Sequence, residues 1–174
     1  MRARAVGMAG LCLWLAGPAA AQDELVEIAE VRWTRAVDPL TRQPGAALVT
    51  APARTPLTLW MRLRAGEAGL ARLAADGRLP LRHRWFRESF AGVSAEGVSE
   101  MTDSIVLEAG KRELLGRLRR EAEARGSFDW RTWSGKARPG PGRWSVAVVY
   151  ADNTPVLCRG DGAPQPCRYA ITVK

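Results

Sequence analysis

The sequence predicts a mainly β fold: an antiparallel, immunoglobulin-like β-sandwich with one or two helical insertions. Three observations carry that expectation. Several short segments alternate apolar and polar residues with the period of two that belongs to half-buried strands. Stretches rich in glycine and proline separate them, Arg138-Pro139-Gly140-Pro141-Gly142 being the clearest. Two other segments repeat their apolar residues at helical spacing. Many short strands between turns suit packed antiparallel sheets.

The chain opens on a different signal. Arg2 and Arg4 precede an apolar run from Ala5 to Ala16 that contains Leu11, Leu13, Trp14 and Leu15. The breakers Gly17-Pro18 and the small residues Ala19-Ala20-Ala21 follow. That order matches a secretory signal peptide over residues 1–21, cleaved after Ala21. The run is too short to span a bilayer, which takes about 20 apolar residues. Leu11 in front of Cys12 does not fit a lipobox, and Arg2-Ala3-Arg4 is not a twin-arginine pair. The expected product is a periplasmic or secreted protein with no membrane span, folded as a single domain over residues 22–174.

Within it, Leu25 to Val37 reads as a strand that Asp38-Pro39 ends, and Leu40 to Pro56 as a loop. Leu57 to Arg64 alternates cleanly. Leu57, Leu59, Met61 and Leu63 share one face; Thr58, Trp60, Arg62 and Arg64 share the other. Glu67 to Ala75 places Leu70, Leu73 and Ala74 at helical spacing before Asp76-Gly77, which predicts a short helix near 67–76. Leu81 to Arg87 alternates again, with Leu81, His83 and Trp85 opposed to Arg82, Arg84 and Phe86. Ala91 to Glu100 reads as a loop and Ser104 to Leu107 as a short strand. The clearest helix is Lys111 to Arg125, with the stripe Leu114, Leu115, Leu118 and Ala122 and the stop Gly126. Phe128 to Ser134, Arg143 to Val149 and Arg168 to Val173 complete the expected strands.

The formal charge is +8, and loss of Arg2 and Arg4 lowers it by two. Lys111, Lys136 and Lys174 are the only lysines. Two explanations compete for the arginine excess, the codon bias of a GC-rich genome and a surface for anionic polymers, and the modest, scattered charge favours the first. The charge is scattered, and no nucleic-acid element is expected. Cys158 and Cys167 are the cysteines left after cleavage, and in an oxidising compartment they should pair. Their spacing is not that of a C-x-x-C redox motif.

The C-terminal strands carry a resemblance. Trp130-Arg131-Thr132-Trp133-Ser134-Gly135-Lys136, then Pro139-Gly140 and Gly142-Arg143-Trp144-Ser145-Val146, resemble the bacterial family called domain of unknown function 2914. Asp152-Asn153-Thr154-Pro155-Val156-Leu157, His83-Arg84-Trp85 and Leu59-Trp60 are similar to further stretches of its pattern. The likeness spans roughly Val31 to Val173 and is most specific in the last third. The 111–125 helix and the cysteine pair depart from that pattern. The resemblance implies an exported or membrane-tethered β-sandwich and brings no activity or site residues.

Few residues offer chemistry. His83 is the only histidine, which excludes a histidine-rich metal site; no metal and no cofactor are expected. A triad of Ser134, His83 and Asp129 can be assembled on paper, but no G-x-S-x-G surrounds Ser134. The carboxylates form no suggestive pair, and no glycine-rich loop opens a helix to cradle phosphate. A lone histidine between Leu81 and Trp85 reads instead as a hydrogen-bonded core residue.

What remains is the outward set of the strands. If the strands that bear them are neighbours in one sheet, Trp60, Arg62, Arg64, Arg82, Arg84, Phe86, Arg131 and Trp133 interleave rings and guanidinium groups, with Trp60, Arg62, Arg84, Arg131 and Trp133 as the candidate ligand-binding residues. Such a face stacks on sugars and pairs with anions. The same residues could equally stack on each other, or lie beneath the 111–125 helix. The expected function is a non-catalytic domain that binds a cell-envelope glycan, anionic lipid or protein. A periplasmic hydrolase and a structural accessory subunit are the alternatives.

Overall fold

The computed structural model describes residues 25–76, 81–88, 99–107, 112–158 and 163–174. The expected signal peptide lies outside them, as does most of the loop expected over 91–100. In chain order the elements are β1 (Glu27–Thr34), β2 (Thr50–Ala51), β3 (Leu57–Ala65), α1 (Glu67–Asp76), β4 (Leu81–Glu88), β5 (Ser99–Leu107), α2 (Arg112–Arg125), β6 (Phe128–Lys136), β7 (Gly142–Tyr150), β8 (Leu157–Cys158), β9 (Gln165–Pro166) and β10 (Arg168–Val173). One sheet has the order β1-β3-β6 and a second β2-β10-β7-β4-β5, while β8 and β9 form a small hairpin. The pairings are antiparallel except where β2 runs alongside β10. The molecule is thus mainly β with antiparallel sheets, as its alternation predicts.

That alternation sets the core. On β3 the buried set is Leu57, Leu59, Met61, Leu63 and Ala65; on β6 it is Phe128, Trp130, Thr132 and Ser134. The second sheet contributes Leu81, His83 and Trp85 from β4, Trp144, Val146 and Val148 from β7, and Ile171 and Val173 from β10. Each fully buried large apolar side chain contributes about 1.5–3 kcal/mol. The two sets meet at Trp85. Its ring lies edge-on to Trp33 of β1, centroids 5.6 Å apart, and 6.5 Å from that of Trp144.

Helix α1 joins β3 to β4, and α2 joins β5 to β6. The helices touch each other, and each also touches a strand of the three-stranded sheet, α1 on β3 and α2 on β6. Of the expected α2 stripe, Leu118 is buried and Ala122 packs against the core; the side chains of Leu114 and Leu115 lie outside the description. Gly69 has a steric reason to be in α1, since a Cβ there would overlap the Leu25 carbonyl and the Ala65 side chain. Gly126, at φ 71°, ends α2 with its N–H bonded to the Ala122 carbonyl.

Four departures from expectation have physical causes. Strand β1 stops at Thr34, because the Gly45 N–H bonds the Ala36 carbonyl and Val37 bridges Pro44, which starts a separate hairpin. The loop expected over 40–56 contains β2, whose two residues leave no period to read. Strand β5 begins at Ser99, ahead of the expected Ser104; a bulge opposite Trp85 and Phe86 breaks its alternation. Finally, β8 and β9 are two residues each and follow the disulfide rather than any pattern. At the outer edge of the second sheet, Asp103 of β5 reaches Lys136 of β6 at 2.9 Å and ties the sheets together.

Candidate functional site

The five residues expected to share a face fall on two sheets. Trp60 and Arg62 of β3 stand directly opposite Trp133 and Arg131 of β6, so these four form a square on the outer side of the three-stranded sheet. Arg84 is not among them. It lies on β4 in the other sheet, in register with Ala147 of β7 and Ser104 of β5. The chain changes sheets between β3 and β4, and nothing in the local alternation announces that crossing. The expectation of one interleaved face therefore holds for β3 and β6 and fails for β4.

A hairpin over residues 36–45 covers part of this square. The Asp38 carboxylate accepts the N–H groups of Leu40 (2.8 Å) and Thr41 (2.9 Å). These bonds, Thr41 first, hold its carboxyl below the usual range. The Arg42 N–H returns to the Asp38 carbonyl at 2.8 Å. Arg42 itself has φ 57°, a left-handed conformation that a residue with a Cβ adopts at a penalty. Two sheet residues pin the hairpin. The Trp60 indole N–H donates to the Arg42 carbonyl at 2.9 Å, and Arg131 donates to the Thr41 carbonyl at 3.2 Å. Trp60 is thereby 1% exposed, and the cover on it comes from this hairpin. It cannot serve as an open stacking platform. Trp133 remains half-buried, with the Arg42 guanidinium 5.6 Å from its ring centroid. Leu40, at the hairpin tip, is 92% exposed.

The charges on this side divide into two sets. Arg62 pairs with Asp129 (3.1 Å) and Glu30 (3.4 Å), Arg64 with Asp129 (3.4 Å), and Arg32 with Glu30 (2.9 Å). These part-exposed pairs contribute about 0.2–1 kcal/mol each and largely neutralise one another. Arg42 and Arg131 have no carboxylate partner among the described residues. Arg42 rests on Trp133, and Arg131 holds a backbone carbonyl. Arg42 escaped the sequence reading because it sits in a loop without a period. Asp38-Pro39, which marks the turn that presents it, was the available signal.

Two members of the paper triad do meet. His83 Nδ1 lies 2.6 Å from Ser134 Oγ, its Nε2 lies 3.3 Å from Met61 Sδ, and the Trp85 indole N–H donates to Ser134 Oγ at 2.9 Å. One arrangement of protons satisfies all these groups. Trp85 donates to Ser134, Ser134 donates to Nδ1, and a histidine protonated on Nε2 donates to the methionine sulfur, a weak acceptor. Burial lowers the His83 pKa to about 3, so the ring is neutral at ordinary pH. Asp129, the third member, is on the opposite face of β6, where it pairs with Arg62 and Arg64. The histidine is a satisfied core residue bridging the sheets.

Other residues of the C-terminal signature also have packing roles. The Trp144 indole N–H donates to the Gly140 carbonyl at 2.9 Å. A Cβ on Gly135 would crowd the Leu57 carbonyl and Thr58. Cys158 and Cys167 are joined as a disulfide with Cα atoms 5.0 Å apart, and the Tyr169 hydroxyl donates to Cys158 Sγ at 3.1 Å. Among the described residues no group of three His, Cys, Asp or Glu side chains could hold a metal. No described helix is long and apolar enough to cross a membrane. No protein-family model matches the chain, and the search of curated proteins found no match.

Proposed function

We propose that the chain is an exported, non-catalytic domain that binds a cell-envelope component through Trp133 and the guanidinium groups of Arg42 and Arg131. The single observation behind this reading is that two arginines without carboxylate partners among the described residues flank one half-buried indole. One of them sits on a hairpin pinned to the sheet. Arg62 belongs to the compensated set beside it, and Trp60 supports the hairpin from below.

The same proposal includes an immunoglobulin-like sandwich with α1 and α2 as insertions. The order β1-β3-β6 against β2-β10-β7-β4-β5, with β2 parallel to the last strand, supports it. Export is supported by the N-terminal signal and by the disulfide, which suits an oxidising compartment. The likeness to the domain of unknown function 2914 family belongs to the same reading. A hydrolase built on Ser134 is the weaker alternative. Its His83–Ser134 contact is sealed in the core, with His83 0% and Ser134 5% exposed.

The test is a binding screen of the purified mature domain against peptidoglycan fragments, lipopolysaccharide and envelope proteins. At least one is expected to bind, and Trp133→Ala combined with Arg131→Gln should weaken it at least tenfold. Absence of binding, or a double variant that binds like wild type, overturns the reading.

A further inference from the structure

We infer that the group held by Arg42 and Arg131 is a phosphomonoester. This rests on the binding reading above and narrows its ligand.

The cation–π contact decides against a sugar stacked on Trp133. A guanidinium already lies over that ring, so a second planar group would have to displace it. A guanidinium that meets an indole through a cation–π contact has no carboxylate on its N–H groups here, and they can fork onto an oxyanion. Arg131 supplies the second cation from the same side. It is two residues before Trp133 on the same face of β6, and it bonds the carbonyl of Thr41, the residue next to Arg42.

Charge sets the kind of anion. Arg32, Arg62 and Arg64 each have a carboxylate, whereas Arg42 and Arg131 have none among the described residues. Arg131 stands directly opposite Arg62 in register, and the carboxylates of Glu30 and Asp129 are taken up by Arg62 and its neighbours rather than by Arg131. Two cations arriving from different elements match a tetrahedral group with charge near minus two, which a phosphomonoester carries at neutral pH and a carboxylate or phosphodiester does not. The left-handed backbone of Arg42 fits this role. The hairpin accepts local strain to present that side chain, and Asp38, Trp60 and Arg131 all hold the strained segment in place.

A lipid headgroup and a soluble sugar can each bear such a phosphate, and Leu40 separates the two sources. At 92% exposed on the tip of the same hairpin, it is placed to enter the apolar layer beneath a headgroup and has no contact to offer a soluble sugar phosphate.

The experiment measures binding of the mature domain to four probes. These are glucose 1-phosphate, glucose, and phosphatidylcholine vesicles doped with phosphatidic acid or with phosphatidylglycerol. The phosphomonoester probes should bind, glucose should not, and phosphatidylglycerol should bind at least fivefold more weakly than phosphatidic acid. Arg42→Gln with Arg131→Gln should reduce monoester binding at least tenfold, and inorganic phosphate should compete. A threefold or greater loss confined to vesicles in Leu40→Ser supports the monoester with a lipid source; an unchanged Leu40→Ser supports it with a soluble source. Failure of every monoester probe, equal binding of phosphatidylglycerol, or indifference to the arginine substitutions overturns the inference. Trp133-dependent binding of an envelope fragment that lacks phosphate would overturn it too, while leaving the proposed binding function intact.

Discussion

Strand β6 carries two kinds of chemistry on its two faces, one residue apart. Inward, Ser134 joins His83, Trp85 and Met61 in a chain of hydrogen bonds closed off from solvent. Outward, Trp133 and Arg131 lie with Arg42 at the surface, with charge left uncompensated among the described residues. The inward set has the residue types of catalysis and the surroundings of a core. The outward set has residue types common on any surface, and binding is proposed for it because of how they are arranged. Residue type misleads in both places; what separates them is whether the polar groups already have partners. Satisfied and buried groups specify packing, whereas partly satisfied and accessible ones are open to a ligand.

The comparison breaks first at Ser134. Ser134→Val strands the Trp85 indole N–H and His83 Nδ1 in the core, and should lower unfolding free energy in urea by about 2–4 kcal/mol. A loss below about 0.5 kcal/mol would mean that the inward chain does not hold the sheets. Acid should attack the same place. The folded pKa of His83, about 3, lies below its ordinary value of 6.5. The unfolded chain therefore takes up the proton first. The stability is intact above pH 6.5 and declines by about 1.4 kcal/mol per unit as the pH falls toward 3. Urea melts at pH 7 and pH 4.5 should differ by roughly 2–3 kcal/mol, and His83→Gln should remove most of that difference. The disulfide gives a scale for these numbers. Cys158→Ser with Cys167→Ser should cost about 2.5–3 kcal/mol through the freedom regained by the unfolded chain, with little dependence on pH. The outer face should respond least. Trp133→Ala with Arg131→Gln should change stability by less than about 1 kcal/mol, because part-exposed groups are lost and nothing buried is stranded. A larger loss would make Trp133 a packing residue and blur the distinction.

The sequence made the inward face legible because β3, β4, β6 and much of β7 alternate, and alternation is a local property. It also placed both helices, through apolar spacing and the stop at Gly126. The outward face was legible only in part. Trp60 alternates as an exposed residue and is buried nonetheless, because its cover is a hairpin without a period. Arg84 has the same alternation as Arg62 but belongs to the other sheet, and strand order depends on contacts distant in sequence. The meeting of His83 with Ser134 spans 51 residues and is likewise invisible locally. Short elements such as β2, β8 and β9 are fixed by their neighbours and leave no signature of their own.

The bridge from Asp103 to Lys136 bears on how another chain could approach. Strand β5 is the outermost strand of its sheet, and an edge strand offers its free backbone groups to any extended peptide. Here the edge is kinked by a bulge, and a carboxylate turns from it toward the opposite sheet. Both features disfavour the addition of a further strand. Self-association by continuous strand pairing is discouraged on that side of the second sheet.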